Sequence, residues 1–527
     1  MHLTKFLAIF LTSVVWLPLG YGQSTELPAI LVPYSRDELA PQSRPAIRAR
    51  WTRKAVDYAA YVGFWLFTKK MNNMIVRNFR REFKGVGTGS LESTNVAVSH
   101  FELRDTWHEM VGNQQLKFGA EDGEIFASGD FRAKYRSLVS IDDEGFFELG
   151  AKKVQMGLNL RLERGEIKGN PKFTIMACDV TLEQVTVVLN GTNLYGWLEK
   201  RLLKEVEAEA NEMFRFKLCE QLRLLIDEKV NPEIATIPVH LPVAEQYIMN
   251  NSLIAEPRVT QDYIDTEMMG EISYWGNGQT PFNPPPLPLA TSNAHMLYLT
   301  VSDHVLNSFF SAAYRQHQLE FIFNAENAPE METYLQTSCN HSVEYCVGFG
   351  FNEMWTDHSD MEVEVETAAL QMPTIELSPL GAQLAGSSRN RIYSKFENGT
   401  KIHLLTLETH FGGSVEIRYQ NGILHGKFRI RQLKLAVIES QIGVFLQNEL
   451  DLAVFTMAPV FERFVNSKLH QGLPVPRIKS LQFIAPSLLL TDRSVEIQTD
   501  FQFIRDLRHK EVQSEITIKA YLEALRG

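Results

Sequence analysis

Two long amphipathic stretches of this chain leave through nearly the same residues. One ends at Val230-Asn231 and runs on through Ile237-Pro238-Val239; the other ends at Val465-Asn466 and runs on through Leu473-Pro474-Val475. The interval from Val230 to Val465 is within one residue of that from Pro238 to Pro474. Asp57 and Asp303, each beside a shorter amphipathic stretch, are separated by a similar interval. Such spacing predicts two copies of one unit, in the order helix, strands, long helix.

In the first copy, Trp51, Ala55, Tyr58, Ala59, Val62 and Leu66 share one helix face over residues 51–76, and Gly85, Gly87 and Gly89 end that element. Residues 90–177 read as strands, with Met156, Leu158, Leu160 and Leu162 on one face and turn signals at Asp122-Gly123 and Glu144-Gly145. Leu194, Leu198, Leu202, Val206 and Ala210 recur every fourth residue, which predicts a helix from 193 to 230, stopped by Pro232 and Pro238. In the second copy, Ser302 or Asp303 is placed to cap a helix carrying Val305, Leu306, Phe309, Phe310, Ala313 and Tyr314. Strands are expected from "YCVGFGF" (345–351) to "KFRIRQLKLAVIES" (427–440). A long helix is expected over 444–469, with Leu446, Leu450 and Val454 on its stripe and Pro459 kinking it.

Between the copies lies "TPFNPPPLPLA", residues 280–290. Proline cannot donate to a sheet ladder and favours extended backbone, so the run reads as a stiff spacer joining the two copies. The expected divisions are a signal peptide (1–22), an N-terminal extension (23–45), a first unit (46–241), linking strands with the Pro-rich segment (242–290) and a second unit (291–527).

The signal peptide rests on a basic start (Met1–Lys5), an apolar run (Phe6–Leu19) and small residues at Gly20 and Gly22. The apolar run is short for a membrane span, so the mature chain is expected to be secreted. Export makes Cys178, Cys219, Cys339 and Cys346 disulfide partners rather than metal ligands, with three pairings open. His341 lies between the last two, but one histidine with two thiols in an oxidising compartment makes a poor metal site, and none is expected. Asn190, Asn250, Asn340 and Asn398 head glycosylation triplets and are expected at the surface. The net charge of −11 is carried mainly by the second half. The first half opens with a basic series from Arg48 to Lys84, which can meet the phosphates of a lipid surface. Overall acidity and export argue against nucleic acid.

Four stretches carry a family resemblance: "IRARWTRKAVDYA"; Cys178 and Cys219 bracketing "GWLEKRLLKEVEAEANEMFRFKL"; the region from Asp265 through the Pro run to Ser302-Asp303; and "VFERFVNSKLHQGLPVPRI". In order and spacing the chain resembles the secreted lipid-binding family of bactericidal/permeability-increasing protein, lipopolysaccharide-binding protein, phospholipid transfer protein and cholesteryl ester transfer protein. The resemblance spans nearly all of the mature chain. It implies an α+β fold, an elongated boomerang of two similar barrels joined by a central antiparallel sheet. Each barrel would be a twisted antiparallel sheet packed with two helices. It implies a Cys178–Cys219 disulfide; Cys339 and Cys346 depart from the family pattern, and a hairpin cross-link is expected there.

The resemblance further implies a lipid in each barrel, and no other cofactor. Such a site needs an apolar slot with few polar groups, each buried methylene contributing about 0.8 kcal/mol. The expected lining is Tyr58, Ala59, Val62 and Leu66 with Leu194, Leu198 and Leu202, and then Leu306, Phe309, Phe310 and Ala313 with Leu450 and Val454. Ala55, Gly63 and Ala312 leave room beside them. The implied partners are a phospholipid or related amphiphile and, transiently, membrane or lipoprotein surfaces.

No Gly-x-Ser-x-Gly elbow, His-Glu-x-x-His pair or P-loop occurs. His100, Asp105 and His108 lie close together in a stretch that reads as strand and turn, so no enzyme is expected. The alternative within the family is a lipopolysaccharide-binding protein of innate immunity, with Arg132, Lys134 and Arg136 as head-group contacts at one tip. Asp142, Asp143 and Glu144 follow closely and weaken that tip.

Overall fold

The structure is a computed structural model that describes residues 44–503, apart from 73, 77, 85–86, 139, 166–168, 191–195, 236–238, 245, 278–279, 291, 340–345, 397, 421–422, 470–472 and 475–480. The expected signal peptide, Leu194, Asn340 and His341 lie outside the described residues. The chain divides into two compact units, each assembled from separated segments. One holds residues 50–237 and 255–266; the other holds those up to 49, 238–254 and 267 onward. The expected divisions at 241 and 290 instead treat each unit as one continuous stretch.

In the first unit, β1 (Ile47–Thr52) enters α1 (Arg53–Met71), so Trp51 belongs to a strand and not to the helix stripe. An antiparallel sheet follows in chain order: β2 (Phe79–Lys84), β3 (Thr88–Gly112), β4 (Gln115–Arg136), β5 (Ser140–Arg164) and β6 (Pro171–Asn190). Strands β3 and β5 each run 25 residues, far beyond the usual five or six. The expected turn at Asp122-Gly123 is a bulge inside β4: Asp122 takes φ 53° and the register to both neighbours shifts there. A bulge uses the same left-handed residue as a turn but adds twist instead of reversing the chain. Gly145 likewise lies within β5; a Cβ there would sit 2.3 Å from the Asn190 carbonyl oxygen.

Helix α2 (Gly196–Leu225) continues through a π turn (Ile226–Val230) into α3 (Asn231–Ala235). Its buried residues Val206, Ala210, Phe214, Leu218 and Leu222 pack with Phe67 and Met71 of α1 and the inner face of the sheet. The Cys178–Cys219 disulfide ties α2 to β6. A separate cluster joins Val56, Met110, Leu116 and Leu162 to Val259 and Ile264 of the returning segment. Arg50 and Asp265, both about 5% exposed, anchor that segment through two 2.8 Å hydrogen bonds.

The second unit begins with β7 (His240–Ala244) and β8 (Tyr247–Asn250). After β9 (Arg258–Val259) and β10 (Tyr263–Met268), β11 (Glu271–Tyr274) pairs with β8. Then come β12 (Leu297–Ser302), α4 (His304–Arg315), β13 (Glu320–Phe323) and α5 (Asn352–Asp357). The main sheet is an antiparallel meander: β14 (Glu362–Ser378), β15 (Gly381–Lys395), β16 (Lys401–Gln420) and β17 (Ile423–Ser440), flanked by β13 and by β18 (Leu473–Pro474). Helix α6 (Gln447–Leu469) contains Pro459, and β19 (Leu481–Thr491) pairs with β20 (Ser494–Phe503), which pairs with β12.

The described residues 346–351 form no strand. Val347–Gly350 forms a 3-10 turn, in which Gly348 approaches the Thr337 backbone too closely to admit a Cβ. Cys339 and Cys346 are joined in a disulfide, while the residues between them, 340–345, lie outside the described residues. Asp303 does not cap α4 with its side chain. Its carboxylate accepts from Arg493 and from the Leu377 N–H, while the Ser302 hydroxyl accepts the His304 N–H at 3.1 Å.

The Pro-rich segment is not a spacer between units, because the chain on both sides of it belongs to the second unit. It lies on that unit as a strap. The Thr280 N–H donates to the buried Glu271 carboxylate, Phe282 meets the buried His304 ring edge-on at 5.3 Å, and Arg48 donates to the Pro288 carbonyl at 3.2 Å.

Candidate functional site

Helix α1 is packed at its two ends and open in the middle. Ala55, Val56, Tyr58 and Ala60 are buried, as are Phe67 and Met71. Tyr61, Val62, Gly63, Phe64, Trp65 and Leu66 form an unbroken run with tyrosine its most polar member, and not one is buried. A Cβ on Gly63 would meet nothing within 4 Å. The run covers about 9 Å of helix. Full burial of one large apolar side chain is worth about 1.5–3 kcal/mol, so this run favours an apolar cover.

Of the residues expected to line the first pocket, Tyr58 is buried, Val62 and Leu66 are half-buried and Ala59 is exposed. Leu198 and Leu202 lie in the first turns of α2, with side chains outside the described set. Among the described side chains, the α2 residues brought to α1 are Val206 to Leu222. Phe64 and Trp65 escape the sequence reading because they fall off the three-and-four stripe.

Helix α6 repeats the pattern. Leu450 and Ala453 are buried at one end and Val465 at the other. Among the described side chains from Val454 to Arg463 none is buried, and Phe455 is 71% exposed. The residues expected to line the second pocket separate. Phe309, Phe310 and Ala313 sit in the core cluster with Val465, with half-buried Leu306 against it. Leu450 belongs to a different cluster, with Leu404 and Leu405, and Val454 is half-buried. Helix α4 is buried at nine of its twelve residues, so it acts as a core helix.

The basic tip is the β4–β5 hairpin. Arg132 makes a two-point contact with Asp142 at 3.1 and 3.2 Å, and Lys134 lies 3.8 Å from the same carboxylate. The Arg132 hydrogen bond holds the Asp142 carboxyl below the usual range. Arg136, opposite Ser140, has no ion pair among the described residues. Along β3, His108 contacts Asp57 of α1 at 2.7 Å, while Asp105 sits in a left-handed bulge at φ 44°. His100, Glu102 and Glu124 converge, but Arg104 bridges the two carboxylates at 2.8 and 3.3 Å. Asn398 is exposed; Asn190 and Asn250 are half-buried.

Residues 55–232 match the N-terminal domain of the LBP / BPI / CETP family, and residues 242–503 match its C-terminal domain. The chain belongs to this family. The family consists of lipid-binding and transfer proteins, not enzymes. Rat bactericidal permeability-increasing protein is 23% identical over 467 residues, covering 88% of this chain and 94% of that protein. Bovine lipopolysaccharide-binding protein is 21% identical, covering 88% and 95%. The human BPI fold-containing family C protein is 22% identical, covering 87% and 89%. A crystal structure of lipopolysaccharide binding protein has a TM-score of 0.52 at 20% identity, covering 88% of this chain and 100% of that one, so the fold is shared.

Proposed function

We propose that this chain is a secreted carrier of phospholipid-like amphiphiles, holding them against α1 and α6 and passing them between membrane or lipoprotein surfaces. The carrying observation is the apolar run Tyr61–Leu66, not one residue of which is buried, between two packed helix ends. Lipid chains supply the missing cover, and bound lipid is the only ligand the reading requires. Family membership supports the same reading, as do two disulfides that suit an oxidising compartment. The test is purification from a eukaryotic secretory host, native mass spectrometry, and transfer of labelled phospholipid between vesicles. Co-purified lipid with transfer is expected; a lipid-free protein that transfers nothing overturns the reading.

Lipopolysaccharide is the second reading. Several relatives carry its name, and Arg132, Lys134 and Arg136 are all exposed on the hairpin tip. Because Asp142 already engages two of them, reversing the three charges is expected to leave phospholipid transfer intact. Loss of labelled lipopolysaccharide binding in that variant would favour this reading.

A further inference from the structure

The main sheet of the second unit carries a groove of 580 Å³ on the face opposite its core. Its position follows from the register. On β13, β14 and β15 the groove-lining residues stand in two cross-strand rows, Glu320–Ala368–Arg389 and Ile322–Glu366–Arg391, all exposed except the half-buried Ala368 and Glu366. Phe321, between Glu320 and Ile322, and Ile392, next to Arg391, are buried. Ala368 leaves a hollow between the larger side chains of its row, and a register shift beyond Ala369 bends the strand away. The size suits a small-molecule ligand.

The charges in the groove are segregated. Acids come from β13 and β14, and bases from β15. Three of the four are engaged: Glu320 with His317 at 3.3 Å, Glu366 with the Tyr393 hydroxyl at 3.2 Å, and Arg389 with Glu408 at 2.8 Å. Arg391 stands directly across from Glu366, yet among the described residues no hydrogen bond or ion pair reaches its guanidinium. A guanidinium in a concave site is a two-point receptor for a phosphate oxygen pair. Glu320 and Glu366 nearby repel a simple anion and attract a cation on its far side.

We propose that this groove binds a phosphoammonium zwitterion, a phosphate ester joined to an ammonium by a short linker. Arg391 takes the phosphate, and Glu366 and Glu320 take the ammonium over the hollow at Ala368. Neighbouring strands lie about 4.8 Å apart, a separation comparable to that of the two charges in phosphocholine. None of its lining comes from α1 or α6, so it is distinct from the helix surfaces proposed to carry lipid.

The test is calorimetric titration of the full-length protein with soluble phosphocholine, inorganic phosphate and choline. Phosphocholine is expected to bind at least 10-fold more tightly than either fragment. Arg391→Ala and Ala368→Phe are each expected to weaken it at least 10-fold, with melting temperatures near wild type. If Ala368→Phe fails to fold, Arg391→Ala decides alone. Unchanged phosphocholine binding in Arg391→Ala, or equal binding of inorganic phosphate, overturns the proposal. Competition between soluble phosphocholine and phosphatidylcholine vesicles, if seen, assigns the site to a lipid headgroup; specific binding without competition assigns it to a free phosphoammonium compound. Both support the site.

Discussion

Asn466 grips the backbone of Phe428 with both ends of its side-chain amide. Oδ1 accepts the Phe428 N–H at 2.8 Å, and Nδ2 donates to the Phe428 carbonyl at 2.9 Å. Asn231 holds Phe173 in the same way, at 2.9 and 2.9 Å. Both phenylalanines lie on open stretches of strand: β6 ends its sheet, and β18 covers β17 only at Ile423 and Leu424. Open edges leave unpaired backbone groups, and one asparagine satisfies a donor and an acceptor together. Asn72 and Asn307 do the same for Phe101 and Ile375. The matching Val-Asn helix ends seen in the sequence are thus matching clamps.

Removing a clamp leaves half-buried backbone groups unpaired. Asn231→Ala and Asn466→Ala are each expected to cost about 1–3 kcal/mol, read as a lower urea midpoint. As the two lie in separate places, their effects should add. An unchanged midpoint in both would make the clamps incidental.

Gly63 separates packing from carriage. Gly63→Leu adds a side chain into open space on a helix, so stability should hold or rise by up to about 1 kcal/mol. Bound lipid, quantified by extraction and mass spectrometry, should fall because the new side chain covers part of the run Tyr61–Leu66. Wild-type lipid content would remove α1 from the carrying surface.

His304 sets a pH dependence. It is 1% exposed, and neither ring nitrogen has a hydrogen-bond partner among the described residues. Burial pushes its pKa down from 6.5 to about 4, so the ring folds neutral. The unfolded chain takes up that proton first, so stability present at neutral pH is lost as pH falls from 6.5 towards about 4. Roughly 3 kcal/mol is at stake. Melting temperatures measured across this window should fall less steeply in His304→Leu than in wild type. Parallel slopes would clear His304.

The Cys178–Cys219 bond closes a long loop in the first unit. Replacing both cysteines with alanine should cost about 2–5 kcal/mol by denaturant unfolding. The same exchange at Cys339 and Cys346, which closes only a short loop, should cost less.

The duplication was legible because Val230-Asn231 and Val465-Asn466 survive as a matched pair. The long strands were less so. Asp122-Gly123 has the composition of a turn, and only cross-strand pairing decides whether a left-handed residue reverses a strand or bulges it. The candidate carrying surface was half legible. The stripe containing Val62 and Leu66 identifies the helix, but a core wall and a ligand wall are equally apolar. What distinguishes Phe64 and Trp65 is that they stay only half-buried, which no residue pattern encodes. The prolines of 280–290 predicted extended backbone, but not that Phe282 and Arg48 would fix the segment on one unit.

The interleaving of segments has a practical corollary for chimaeras and half-molecules. Arg50 and its partner Asp265 lie on opposite sides of residues 238–254, which belong to the other unit. A single crossover at the end of the first copy would give a hybrid with its guanidinium from one parent and its carboxylate from the other. A fragment stopped at Ile237 would take away the carboxylate that holds the buried Arg50. Swapping either half intact requires moving residues 255–266 together with 50–237, and the four junctions must evolve, or be engineered, as one piece.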